Sequence, residues 1–337
     1  MAEAPVPAGP SPLTDVAVPA FRLPYSCFAS PAAQELFVRQ RDLAPLPPGA
    51  SIAETRAYYD AINADRVRRL REIFAVEVRS ETLDGVRVDR VIPLGEAVLR
   101  DSNRVLVNLH GGAFLWGAGN GALVEAIPIA AESGMEVVAI DYRQGPEWRF
   151  PAACEDVAAV YRALLKDHLP EAIGFYGCSA GGLLAAQAIV WFRAQHLPIP
   201  GAVGTFCGSL IDFTGGDSLY LASVANGQPP DSALGSYSTL PYFADTQADD
   251  PLIFPSLDPA ALKVFPPTLL IAGTRDFAMS SVLHSNELLT ASDVSTELHV
   301  WEGMGHAFFS DPEPEESRQA YRVIARFFRR ELSRISA

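Results

Sequence analysis

The sequence predicts an α/β fold: a mostly parallel sheet flanked by helices. From residue 105 onward, short continuous apolar runs alternate with segments of helical period. Strands that are apolar on both faces must be covered on both, which is what a parallel sheet between two helical layers requires. Upstream, two runs of alternating apolar and polar residues flank Asp84-Gly85. That is a two-residue hairpin signal, so an antiparallel pair is expected at the sheet edge. A third observation divides the chain. From Ser209 to Val264 no full strand-helix unit can be read, and Gly, Ser, Asp and Pro accumulate. So long a stretch is seldom a plain loop in a compact domain. The expected organisation is 1–70 as an N-terminal segment with cap helices, 71–208 and 265–337 as the main α/β domain, and 209–264 as an insertion contributing to the cap.

The first 20 residues, rich in Pro and Ala, are expected to be irregular. Pro31–Arg41 and Ser51–Phe74 read as helices, the second with Ser51 and Glu54 spaced as a capping box. Val76–Thr82 and Val86–Ile92 form the hairpin. Val105–Leu109, Glu136–Ile140, Ile173–Tyr176, Ala202–Cys207, Thr268–Ala272 and Glu297–Trp301 read as strands. Between and after them, Gly121–Ser133 (interrupted by Pro128), Ala152–Lys166, Gly182–Gln195, Ser280–Ser292 and Glu315–Leu332 read as helices.

Composition narrows the function classes. Hydrophobic residues make up 49% and charged residues 20%, as in ordinary globular protein. A net charge of −14 repels phosphate backbones and anionic lipid, so neither nucleic acid nor a membrane is expected as a partner. The first 20 residues lack the basic and apolar regions of a signal peptide. No stretch approaches the ~18 apolar residues of a membrane span. A cytoplasmic location is expected. The four cysteines, Cys27, Cys154, Cys178 and Cys207, show neither CxxC nor metal-ligand spacing, so reduced thiols and no metal are expected.

Four motifs then fall in order, each after a predicted strand: His110-Gly111-Gly112, Gly177-Cys178-Ser179-Ala180-Gly181, Gly273-Thr274-Arg275-Asp276 and Gly303-Met304-Gly305-His306. The second is the Gly-x-Ser-x-Gly nucleophile elbow, and the order Ser, Asp, His is that of an α/β-hydrolase triad. Acyl transfer needs a nucleophile, a base, an orienting acid and donors for the developing oxyanion. Ser179 is the candidate nucleophile and His306 the base, since His168, His196, His284 and His299 fall in helices, at a helix end or inside a strand. Asp276 is the acid; Asp250 and Asp258 are rivals that follow no clear strand. Gly111 and Gly112, with the N–H of Ala180, are the expected oxyanion hole, and His110 would brace that loop. Phe114, Leu115 and Trp116 are expected to line the substrate pockets.

His110-Gly111-Gly112-Ala113-Phe114, Asp141-Tyr142-Arg143 with Pro146-Glu147, Gly177–Gly182, Asp250-Pro251-Leu252, Asp276 and His306 together resemble the hormone-sensitive-lipase-like (bacterial family IV) esterases of the α/β-hydrolase fold. The resemblance runs from about residue 50 to the C-terminus. It implies an eight-stranded sheet, a helical cap over the active site, serine carboxylesterase activity on a small-molecule ester, no cofactor, and a possible homodimer paired through the strand near Glu297–Trp301. Cys178 stands where such esterases more usually carry Asp, Glu or Thr. A lactone hydrolase using the same triad is the alternative. The intact His306 argues against a non-catalytic binding protein on this fold.

Overall fold

The computed structural model describes residues 21–95, 103–228 and 236–332. The expectation for the first 20 residues lies outside them, as do parts of the insertion and of the C-terminus. Among the described residues the first elements are α1 (Pro31–Arg41) and α2 (Ile52–Ile73), the latter opened by the Ser51–Glu54 capping box that the sequence predicts. β1 (Val76–Leu83) and β2 (Val86–Pro93) then pair antiparallel around Asp84-Gly85. The wound part follows as β3 (Val105–Leu109), α3 (Asn120–Ser133), β4 (Glu136–Ile140), α4 (Ala152–Leu164), β5 (Ile173–Cys178), α5 (Ala180–Ala194) and β6 (Ala202–Phe206). After the insertion, which holds α6 (Asp217–Ala225) and α7 (Pro259–Leu262), come β7 (Thr268–Arg275), α8 (Met279–Ala291), β8 (Thr296–Gly305) and α9 (Glu315–Glu331).

The eight strands lie in the order β1-β2-β4-β3-β5-β6-β7-β8, with the hairpin on one edge and β8 on the other. From β4 to β8 every pair is parallel. The inner strands are buried along their whole length, because helices cover both faces. Two apolar layers result. One packs α4, α5 and α8 against one face; the other packs α3 and α9 against the opposite face. Pro128 does not interrupt α3: the helix runs through it, with the ring buried.

Strand register delivers the candidate residues to one place. Leu109 pairs with Gly177, so His110-Gly111 emerges beside Cys178-Ser179. Cys178 pairs with Phe206, which sets Cys207 next to Ser179. β7 and β8 both run further than their apolar cores suggest, with an irregularity between Gly273 and Arg275. Arg275 then pairs with Gly305, so Asp276 and His306 leave the sheet side by side.

Candidate active site

The elbow is built by strain and close approach. Ser179 has φ 58° and ψ −122°, a backbone conformation seldom adopted by a residue with a side chain. Its N–H donates to Phe206 O at 2.7 Å and its carbonyl accepts from Gly182 and Leu183, so strand and helix hold it from both sides. A side chain at Gly181 would overlap the carbonyl of Leu109, which is why the turn tolerates only glycine there. The Ser179 hydroxyl meets His306 Nε2 at 2.9 Å, and His306 Nδ1 meets Asp276 Oδ1 at 2.8 Å. Asp276 is wholly buried, and its Oδ1 also accepts the Ala278 N–H at 2.9 Å. Phe277 stacks on the His306 ring with centroids 4.2 Å apart. The three predicted side chains thus converge. The rivals do not: Asp250 accepts the N–H of Leu252, and Asp258 caps α7 and pairs with Arg193.

The loop after β3 differs from expectation in one respect. The Gly111 N–H donates to Glu125 Oε1 at 2.8 Å, so it is already engaged. Among the described residues, the N–H groups of Gly112 and Ala113 meet no protein acceptor, and neither does that of Ala180 at the start of α5. Gly112 has φ 121°, and Ala113 (φ 52°) and Phe114 (φ 57°) follow in left-handed conformation. His110 braces the loop as expected: its Nδ1 lies 2.7 Å from Gly111 O and its ring stacks on Tyr142 at 4.2 Å. Burial pushes its pKa down to about 4, so the ring is neutral and Nδ1–H is the donor. Tyr142 donates to His110 O at 2.7 Å. Arg56 of α2 donates to Leu115 O and Gly145 O while pairing with Glu147, locking the loop to the turn that carries Pro146-Glu147.

A cavity of about 440 Å³ opens over Ser179 and His306. Of the three residues expected to line it, only Trp116 does, stacked on Tyr59 of α2 at 4.7 Å. Phe114 is a correction. Its left-handed backbone turns the ring into the core, stacked on Tyr242 at 4.9 Å and edge-on to Phe243. Leu115 is another, its side chain lying against Gly145 rather than the cavity. The rest of the wall includes Phe213, Tyr237, Thr239 and Leu240 of the insertion, Phe277, Asn63 and Arg66 of α2, and Val124 and Glu125 of α3. Tyr237 is fully buried, and burial raises its phenol's pKa against the opposing influence of Ser179. The sequence reading missed Tyr237, Glu125 and the Ala113 amide. Cys178 and Cys207 lie beneath the elbow as buried free thiols, their pKa values raised by burial. Cys207 Sγ lies within 4.8 Å of ligand atoms of Asp276 and His306. Among the described residues no helix is long and apolar enough to cross a membrane.

The family model for the alpha/beta hydrolase fold matches residues 106–310. The chain is similar to an esterase of Acinetobacter venetianus, 27% identical over 260 residues, 75% of this chain and 82% of that one. It is also similar to LipR of Mycobacterium tuberculosis, 36% identical over 127 residues, which are 37% of this chain and only 40% of that one. Among solved structures, that of an esterase, E25, superposes with a TM-score of 0.79 at 28% identity, covering 94% of this chain and 99% of its own.

Proposed function

Because the chain belongs to the alpha/beta hydrolase fold family and is a carboxylic ester hydrolase, we propose that Ser179, His306 and Asp276 cleave short- to medium-chain esters through an acyl-enzyme. One observation carries this: a single imidazole bridges the strained Ser179 hydroxyl at 2.9 Å and the buried Asp276 carboxylate at 2.8 Å. His306 Nε2 accepts the Ser179 proton as Oγ attacks the ester carbonyl. Asp276 keeps the proton on Nδ1 and stabilises the imidazolium that forms. The amides of Gly112, Ala113 and Ala180 receive the oxyanion, and the N-terminus of α5 adds its dipole. His306 returns the proton to the leaving alkoxide, and a water activated by the same ring releases the acid. The cap, in this reading, is made from the N-terminal helices and 209–264, and it closes the acyl pocket with aromatic side chains. The open outer edge of β8 is the natural seat for pairing two chains.

The test is rapid mixing with p-nitrophenyl butyrate. A burst of nitrophenol equal to the enzyme concentration is the expected result. Ser179→Ala should lose on the order of 10⁴–10⁶ in kcat while remaining folded, since triad members act as a unit. A folded Ser179→Ala protein keeping a tenth of the wild-type turnover would remove Ser179 from the mechanism. A lactone panel run beside the esters reads out the alternative substrate class.

A further inference from the structure

Two polar residues interrupt otherwise apolar runs on either side of the elbow: Asn108 in Val105–Leu109 and Glu125 within 122–131 of α3. The structure brings them together. Glu125 Oε1 accepts the Gly111 N–H at 2.8 Å, and Oε2 accepts both Asn108 Nδ2 at 3.0 Å and the Cys178 N–H at 3.2 Å. Gly111 immediately precedes the free Gly112 and Ala113 amides, and Cys178 immediately precedes Ser179. One carboxylate therefore spans the loop that carries the oxyanion donors and the turn that carries the nucleophile. Among the described residues neither segment has another side-chain tie of this kind to the other: Tyr142 and Arg56 fix the loop to the turn after β4 instead.

We propose that Glu125 is a positioning residue for ester cleavage, setting the separation between Ser179 Oγ and the amides of Gly112 and Ala113. The proposal rests on the esterase reading above. A transition state is stabilised only when donors and nucleophile are both in register, and a misplacement of about 1 Å can cost on the order of 10²-fold. Ground-state binding depends far less on that register. The signature is therefore a loss in kcat at nearly constant KM.

Glu125→Gln keeps the shape but presents an amide N–H₂ to donors, so one of the two ties must break. At pH 8, with p-nitrophenyl butyrate and sites counted by stoichiometric phosphonate labelling, kcat per labelled site should fall roughly 10–100-fold, with KM within about threefold. Unchanged kcat per site would overturn the proposal. So would a raised KM with intact kcat, which would mean that Glu125 meets the substrate itself. Should Glu125→Gln fail to fold, Asn108→Ala decides. It leaves the carboxylate and both backbone ties but removes one brace, and also an Asn108 Oδ1 that has no partner among the described residues. A smaller kcat loss at unchanged KM is expected; no loss overturns the proposal. A wild-type chain that turns over no ester would sink the esterase reading and this proposal with it.

Discussion

Gly112→Ala offers the sharpest test of how the loop works. Gly112 sits at φ 121°, outside the range that residues with a Cβ adopt readily. A Cβ placed there would lie 2.6 Å from the carbonyl carbon of Trp116 and closer still to its oxygen. Both groups belong to the same tight turn: the N–H of Trp116 and that of Leu115 donate back to Gly112 O at 3.0 and 2.8 Å. The added methyl cannot be absorbed by a flexible side-chain end, so backbone has to move, and the amides of Gly112 and Ala113 move with it. Losing one oxyanion donor costs about 10²–10³ in kcat, or roughly 3–4 kcal/mol of transition-state stabilisation. The strained backbone adds about 1–3 kcal/mol of folding destabilisation. Two measurements separate these effects: kcat and KM with p-nitrophenyl butyrate, and a thermal or urea melt. The expected pattern is a kcat loss of at least about 10²-fold with KM changed far less. A folded Gly112→Ala enzyme with normal kcat and raised KM would refute the reasoning, because the loop would then only bind substrate.

Trp116→Ala should shift the acyl-chain optimum to longer chains, because it removes one partner of the Trp116–Tyr59 stack that walls the cavity. In the wild type, kcat/KM should rise roughly fourfold per methylene, at ~0.8 kcal/mol each, from acetate to about butyrate or hexanoate, and fall beyond roughly ten carbons. A wild-type preference for palmitate would refute the short-chain reading. Glu125 also makes a pH prediction. Burial pushes its carboxyl up to about 7, against the lowering influence of Gly111, Asn108 and Cys178, from an ordinary value of 4.5. Between those values the folded chain holds a proton that the unfolded chain has released. The site's contribution to stability is therefore present below about 4.5 and lost as pH rises through about 7, a change of roughly 3 kcal/mol. The facing groups His110, Tyr142, Tyr176 and Cys178 stay uncharged across this window, His110 titrating near 4 and the others shifted upward. Urea melts of wild type and Glu125→Gln at pH 5 and pH 8 should show the difference between the two proteins moving by most of this amount, about 2.5 kcal/mol, wild type losing ground at pH 8. A constant difference would show that Glu125 does not titrate there.

The proposed triad was legible because each member is marked twice, by residue type and by its place at the end of a strand. Ser179 follows Ile173–Cys178, Asp276 follows Thr268–Arg275 and His306 follows Thr296–Gly305. Parallel strands present their C-terminal ends at one edge of the sheet, so motifs read along the chain become neighbours in space. The substrate wall was not legible. The glycines that open the loop after β3 suggested that the aromatic residues following them would face the substrate. Two left-handed residues in succession reverse the chain instead, and send Phe114 into the core. Nothing in residue type distinguishes Phe114 from Trp116; backbone conformation does. Tyr237, Thr239 and Leu240 come from an insertion without periodic pattern, where no rule of spacing assigns a direction to a side chain.

The lone polar residues are a further signal in the sequence. A strand such as Val105–Leu109, buried on both faces, has no place for a carboxamide unless something meets it. The same holds for a carboxylate in the apolar run of α3. Read singly, Asn108 and Glu125 are anomalies of polarity in two buried elements. Paired, the Asn108 amide N–H donates to the Glu125 carboxylate, which also accepts the backbone N–H groups of Gly111 and Cys178. That burial is what raises the Glu125 pKa, and an apolar residue in its place would leave the N–H groups of Gly111 and Cys178 and the Asn108 amide without their acceptor. In the proposed reading, this shared acceptor also serves precision at the elbow, where the nucleophile and its oxyanion donors would approach from two separate strands and must arrive in register.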